Sequence, residues 1–317
     1  MLKRALAFIC FYTTSAHSAI PILPTDLPAS GEAIFIGSTT SRNFDFEGDY
    51  FNSIFLERAT IDSNSSSKSF DLGIDYGLSN KDSILAQFDY LIDGSDASHF
   101  NYLVPSGKVS YEKQYSGLGD LRVRYKRILA DHDEGKFTFD VSTTLPVGND
   151  DAGQSQILVN GIEVQSKKKG GASNGRVDYA AGLAYSPNTN SGFTPYADMG
   201  YTIRGKKTVE GIKIVSGNSI GVSFGFVFPL NAAHLDASLF YIGHSDGYSG
   251  DMQIASSNTT GLSISFSSFM ERNTLVRVGG ALISSKGGTI TDKTDGSEIK
   301  YHTQNGTAFM LEIIQSY

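Results

Sequence analysis

Tryptophan is absent from this 317-residue chain, and cysteine occurs once, at Cys10. A single thiol forms no disulfide framework and no cysteine-based metal site. Proline is scarce, with 8 residues, and no segment has the apolar spacing of an amphipathic helix or a change in composition that marks a second domain. The chain instead contains 34 Gly, 20 Phe and 16 Tyr, a composition that favours strands and turns.

The first 19 residues have the pattern of a secretory signal peptide. Lys3 and Arg4 precede an apolar run, and small residues suited to cleavage follow between Ala16 and Ala19. We therefore predict a signal peptide over residues 1–19, cleaved within 16–19, and its removal takes away Cys10. The loss of two positive charges changes the formal net charge from −7 to −9, and an acidic exported chain is a poor candidate for binding nucleic acid.

An uncharged run from Ile214 to Ala233 is long enough for a transmembrane helix of about 20 residues. Its side chains, however, repeat every two residues, which is the period of a strand. One parity is apolar and the other is small or polar: Ile220, Val222, Phe224, Phe226 and Phe228 alternate with Ser219, Gly221, Ser223 and Gly225. A transmembrane barrel strand with lipid outside and water inside has this pattern, and so does a sandwich strand with one face in a core.

Connection lengths favour the barrel. Short connections at 77–81, 130–135, 186–192, 229–234 and 270–273 alternate with longer polar ones near 93–114, 149–175, 205–217, 244–257 and 285–304. Outer-membrane barrels have short periplasmic turns and long extracellular loops, whereas a sandwich has no reason for this alternation. The strands between these connections lie near 67–79, 82–92, 116–129, 136–147, 176–186, 193–204, 218–229, 234–243, 258–269, 274–284 and 306–317.

One more strand is needed to close such a barrel, and either Glu32 to Thr40 or Tyr50 to Asp62 fits. We therefore predict an all-β fold, a transmembrane antiparallel up-and-down barrel of about 12 strands that occupies residues 20–317. Residues 20–46 are expected to form either an N-terminal segment inside the pore or the first strand.

Charged residues in these strands fall on the parity opposite the apolar faces, such as the face that runs from Phe70 to Leu78. A basic side chain that faces lipid at mid-bilayer costs about 2 to 4 kcal/mol, so we expect the charges to face the lumen. The predicted pore-lining residues are Asp71, Asp75, Asp89, Asp120, Arg122, Arg124, Lys126, Asp140, Asp178, Asp198, Arg204, Asp236, Arg277 and Glu312.

Arg122, Arg124 and Lys126 form a basic ladder beside Asp140. The ladder either sets up a field that selects solutes or belongs to a structural ion network that fills the lumen, and we favour the network.

Three segments resemble those of a known family. The segments G-L-G-D-L-R-V-R-Y-K-R-I-L (117–129) and F-T-F-D-V-S-T-T-L-P-V-G-N-D (137–150) are similar to the G-L-G-D and L-P-x-G-D hairpin of outer-membrane transporters associated with meta-pathway phenol degradation. The segment I-D-Y-G-L-S-N-K-D-S-I-L (74–85) is similar to the Y-G-L-T-D hairpin of the same proteins. The matching residues are Gly117, Gly119, Asp120, Pro146 and Gly148. The resemblance implies a channel-type transporter of small molecules, hydrophobic or aromatic ones included.

Other motifs carry less weight. G-H-S-D-G (243–247) matches the G-x-S-x-G nucleophile pattern at Ser245, but no helix follows it, so we interpret it as a chance match. The Lys167 to Lys169 run is expected to be a solvated loop tip, with contact to anionic lipopolysaccharide as the alternative. Asp292, Asp295 and Glu298 lack the spacing of a calcium loop. We predict no metal, no cofactor and no enzymatic activity.

The sequence therefore predicts a channel or transporter in the outer membrane of a Gram-negative bacterium. Expected partners are small-molecule solutes, outer-membrane lipid, lipopolysaccharide, and the barrel-assembly machinery, which would recognise the C-terminal strand that ends at Tyr317. The alternative is a filled barrel that acts as a surface interaction or structural protein through its long extracellular loops.

Overall fold

The computed structural model describes residues 23–103, 106–151, 153–189, 192–209, 211–231, 233–271 and 273–317. The predicted signal peptide, residues 1–19, lies outside these ranges. Within them, no helix has the length and apolar character needed to cross a membrane.

Twelve long strands form one closed antiparallel barrel, which confirms the predicted fold class. Each strand pairs with the next, and the last pairs with the first from Ile34 opposite Ser316 to Phe51 opposite Glu298, so the wall has no free edge. The strands are β1 (Ala33–Asn52), β2 (Glu57–Ser79), β3 (Asp82–Leu103), β4 (Ser106–His132), β5 (Gly135–Leu145), β6 (Asp178–Pro187), β7 (Thr194–Ile203), β8 (Ser219–Leu230), β9 (Ala233–His244), β10 (Ser257–Glu271), β11 (Thr274–Lys286) and β12 (Glu298–Ser316).

Alternating side chains give the wall two different faces. On β8, Phe224 is 61% exposed on the outside, while Gly225 and Val227 are buried on the inside. On β12, Ile313 points outward and Glu312 is buried. The outward apolar residues cover the wall with the surface that lipid requires, because charged groups lie on the other parity.

The first strand is Ala33–Asn52, so it contains nearly all of the alternative from Glu32 to Thr40. The other alternative, Tyr50 to Asp62, is divided between the end of β1, a turn and the start of β2. The long loop predicted near 93–114 is wrong, because residues 94–103 and 106–114 extend β3 and β4 as paired strands.

Seven short strands lie in the connections. They are Gln156–Val159, Ile162–Gln165, Lys206–Val209, Ile212–Val215, Gly247–Ser249, Met252–Ile254 and Thr289–Asp292. All of them belong to connections at the end of the barrel opposite Ala33 and Tyr317. The end that holds Ala33 and Tyr317 has the short turns and is therefore the periplasmic end.

Apolar clusters lie inside the wall at both ends. The periplasmic cluster contains Ile34, Ile36, Leu85, Leu275 and Ile314. The larger extracellular cluster contains Phe44, Phe46, Tyr50, Ala59, Ile61, Phe100, Ile290, Ile299 and Tyr301. The charged side chains occupy the lumen between them.

Candidate functional site

The middle of the lumen is lined by charged side chains. Asp71, Asp75, Asp89, Arg122, Arg124, Lys126, Asp140, Asp178, Asp198, Asp236, Arg277 and Glu312 all lie on strand positions of inward parity. Asp120 lies at an irregular point of β4, where the register with β3 shifts. Arg204 lies one residue beyond the end of β7.

Two of these cations pair with carboxylates on other strands. Arg277 contacts Glu312 on the neighbouring strand at 2.9 Å, and the Glu312 side chain is 0% exposed. Arg124 on β4 lies 3.9 Å from Asp75 on β2, across the intervening β3, and its side chain is 17% exposed. Such pairs belong to an ion network that links strands through the lumen.

Acidic groups on the opposite wall have neutral partners instead. The Tyr196 hydroxyl donates to Asp236 at 2.9 Å, and the Ser223 hydroxyl donates to Asp198. The Tyr196 ring lies against Gly225, where a β-carbon would come within 2.3 Å of it. The glycine on β8 therefore makes room for the ring that orients Asp236.

Arg42 is a lumen residue that the sequence analysis did not identify. It occupies an inward position on β1, near enough to Asp71, Asp89 and Arg122 to interact with them electrostatically. It was missed because the sequence left two alternatives for the first strand. Whether a side chain faces the lumen can only be predicted once the residues of its strand are known.

The N-terminal segment, residues 23–32, lies across the periplasmic mouth inside the barrel. The Lys126 ammonium donates to the backbone oxygens of Pro24 and Asp26, the latter at 3.0 Å. The Thr25 side chain is fully buried and hydrogen-bonds to Ser186 on β6. Lys136 on β5 lies 3.5 Å from the Asp26 carboxylate. The segment is therefore held by lumen side chains and is not a strand of the wall.

The other end of this segment packs on β2 at Gly77. The Gly31 N–H donates to the Gly77 oxygen at 2.8 Å, and the Gly77 N–H donates to the Glu32 oxygen at 3.0 Å. A β-carbon at Gly77 would lie 1.9 Å from the Ala29 oxygen, which no side chain allows. The segment thus reaches across the mouth only because β2 has a glycine at this point.

The family-like motif residues meet where the connection between β5 and β6 returns to β4. The Ser173 hydroxyl and the Asn174 N–H donate to the Asp120 carboxylate. A β-carbon at Gly148 would lie 1.8 Å from the Leu118 oxygen, and one at Gly119 would lie 1.9 Å from an oxygen of Asp89.

Gly117 has a φ of 119°, which favours glycine, and Pro146 begins the connection directly after β5. The motif glycines therefore have structural roles: Gly148 lets the connection pack closely on β4, and Gly119 makes room for the Asp89 side chain.

The same connection is fixed further out by ion pairs. Lys168 contacts Asp151 at 3.0 Å, and Lys167 contacts Glu112 at 3.2 Å. The Gly153 N–H and then the Lys168 ammonium hold the pKa of the Asp151 carboxyl below its usual value. Two lysines of the predicted charge run thus have carboxylate partners.

The residues of the remaining motifs, Ser245, Asp292 and Asp295, lie in connections between the barrel strands. Ser245 is exposed in a connection, where its N–H donates to the Asn218 oxygen. Asp292 and Asp295 accept hydrogen bonds from the N–H groups of Thr294 and Ser297. Among the residues that the structure describes, no three His, Cys, Asp or Glu side chains are placed to hold a metal ion.

No protein-family model matches the chain, and no curated protein matches it in sequence. Its fold is similar to that of an outer-membrane channel from Pseudomonas putida F1, with 12% identity, a TM-score of 0.56, and coverage of 96% of this chain and 99% of that chain. The transport unit of the autotransporter AIDA-I from Escherichia coli has 10% identity and a TM-score of 0.54, with coverage of 100% and 97%. The protein is thus a β-barrel of the bacterial outer membrane.

Proposed function

We propose that the protein is a channel that passes small solutes across the outer membrane. The observation that supports this most directly is the partly exposed charged lining in the middle of the lumen, where water reaches the Arg124 side chain. Asp71, Asp89, Asp140 and Asp198 are also only partly buried. A barrel whose only role is structural has no need for solvated charges at its centre, because hydrating them requires space that side chains would otherwise fill.

Small aromatic molecules are the proposed solutes. The extracellular cluster contains the rings of Tyr50 and Phe100, and the Tyr111 ring packs against it, with the three rings edge to face at 5.6 to 5.9 Å. A phenol-like molecule combines a ring that suits this cluster with a hydroxyl that suits the charged lining. The resemblance to transporters associated with meta-pathway phenol degradation supports the same class.

The N-terminal segment is proposed to control passage at the periplasmic mouth. It is anchored by Lys126, Lys136 and Ser186, and none of these contacts is part of a strand ladder. A few side-chain contacts of this kind break at far lower cost than wall strands, whose hydrogen bonds have no substitute in lipid. Passage therefore requires displacement of this segment, with the wall unchanged.

Planar-bilayer recording tests the proposal, with uptake of radiolabelled phenol into proteoliposomes as a second readout. We expect reproducible single-channel steps and phenol uptake above that of protein-free vesicles. A matched polar solute of similar size that lacks a ring should enter more slowly. Uptake of both solutes at the protein-free rate, together with no channel steps, would contradict the proposal.

The second candidate is a filled barrel that binds a surface partner. The dense extracellular cluster favours it, because Phe100 and Ile61 are fully buried there and leave little space for a solute. Absence of conductance even after displacement of the N-terminal segment would favour this candidate. We propose no hydrolase activity, and Ser245→Ala should leave any esterase background of the purified protein unchanged.

A further inference from the structure

A groove of about 520 Å³ crosses the outer surface of the wall on the side where the first and last strands meet. Its lining residues come from five strands, β1, β12, β11, β10 and β9. Most of them have the parity of Phe309 and Ile313, so their side chains point away from the lumen. The groove is therefore open to whatever surrounds the barrel.

Two rows of side chains make the groove amphipathic. One row is polar and consists of one residue on each of four adjacent strands. Strand register places Asp45 opposite Asn305, Asn305 opposite Ser284, and Ser284 opposite Thr260. The next outward position on the periplasmic side of β11 is Leu282.

Leu282 lies opposite Leu262, and Leu262 opposite Leu239. Leu239 and Leu282 are each 63% exposed. The groove thus offers hydrogen-bonding groups beside an apolar surface.

The floor of the groove is closed toward the lumen. The Phe44 ring lies on the inner side of Gly306, and the Phe240 ring lies on the inner side of Gly261, each within 2.2 Å of the position that a β-carbon would take. The strands remain paired in continuous register through this region. A solute in the lumen therefore has no path into the groove, and the occupant must come from the membrane.

One lysine supplies positive charge beside the polar row. Lys286 is exposed on β11, two residues beyond Ser284, which is a rise of about 7 Å. Its ammonium group is on a long flexible side chain and can reach an anionic group at the extracellular edge of the groove.

We propose that this groove binds lipopolysaccharide, an acylated and phosphorylated amino-sugar lipid of the outer leaflet. Its acyl chain lies on Leu239 and Leu282, and its sugar hydroxyl and amide groups bond to Asn305, Ser284 and the Asp45 carboxylate. A phosphate of the lipid pairs with Lys286. The polar row accepts and donates as sugar recognition requires, and the lysine matches phosphate rather than a neutral headgroup.

Native mass spectrometry of the barrel extracted from outer membranes tests the proposal. The test variant replaces the polar row by Asn305→Ala, Ser284→Ala and Thr260→Ala. The connection control makes the same three residue changes in the connections that flank β6, at Asn188, Ser166 and Thr189, which are exposed and contribute nothing to the groove. Neither variant alters a lumen side chain, so single-channel conductance should be the same in both.

We expect lipopolysaccharide to stay bound to the native barrel and to the connection control, and its retention to fall about tenfold in the groove variant. Lys286→Ala should lower retention of the phosphorylated lipid and leave retention of its enzymatically dephosphorylated form unchanged. Equal retention by the groove variant and the connection control would overturn the proposal. So would a native barrel that carries only phospholipid, or one whose groove is covered by a second copy of the chain in cross-linking.

Discussion

Substitution of Gly77 by alanine should open the periplasmic mouth. The added methyl would lie 1.9 Å from the Ala29 oxygen and 2.9 Å from the Pro28 oxygen, so the N-terminal segment has to move away. Gly77 does not need a left-handed backbone, so the effect is steric and leaves the conformation of β2 unchanged. The variant therefore acts on the segment and not on the wall.

The expected increase in the displaced fraction of the N-terminal segment follows from the contacts that are lost. Displacement breaks the hydrogen bonds between Gly31 and Gly77 and between Gly77 and Glu32. At about 0.5 to 1.5 kcal/mol each, they stabilise the closed position by about 1 to 3 kcal/mol. Because each 1.4 kcal/mol is about tenfold in an equilibrium constant, a loss of about 1.4 kcal/mol, which lies within this range, raises the displaced fraction about tenfold.

Single-channel recording in planar bilayers measures this directly as open probability. Gly73→Ala is the matched control, since Gly73 faces the lumen from the same strand and its added methyl would meet atoms only at 3.4 Å or beyond. Gly77→Ala should raise the open probability about tenfold, and Gly73→Ala should not change it. Equal open probability in the two variants, with both correctly folded by heat-modifiable mobility in electrophoresis, would refute the reasoning.

Three further substitutions test other parts of the barrel. Arg277→Met leaves the buried Glu312 carboxylate unpaired and should destabilise the barrel by about 3 to 5 kcal/mol in urea titration, with Glu312→Met on the same chain restoring most of the loss. Phe224→Arg places a cation in the lipid-facing wall and should cost about 2 to 4 kcal/mol in the same titration, whereas Phe224→Leu should cost far less. Gly148→Ala collides with the Leu118 oxygen and should expose the connection after β5 to limited proteolysis without unfolding the barrel.

The parity of side chains was enough to predict the barrel, because lipid and water place opposite demands on the two faces of every strand. Strands such as β8 and β9 differ from their predicted bounds by one residue at each end. The extensions of β2 and β3 were missed, because D-S-N-S-S-S-K (62–68) is polar on both faces and has no period to detect. Outside the hydrocarbon region of the membrane, neighbouring strands can pair even when neither has an apolar face.

The site was predicted less completely than the fold. Parity indicates that Arg277 and Glu312 face inward, but it does not show that they pair, since pairing depends on register between strands β11 and β12. The contacts of Thr25 and Lys126 were not predictable either, because segment 23–32 has no regular structure from which a direction could be assigned. Sequence analysis is therefore informative about the wall and much less so about what lies within it.

The seam between β1 and β12 has a consequence for biogenesis. Ala33 and Tyr317 exchange two backbone hydrogen bonds, at 3.1 and 2.9 Å, so the start of β1 and the end of β12 close on each other. The barrel cannot shut until the whole of β12 has been synthesised and exported. A nascent or prematurely terminated polypeptide would keep two unsatisfied strand edges, which suits it to degradation by periplasmic proteases before it enters the bilayer.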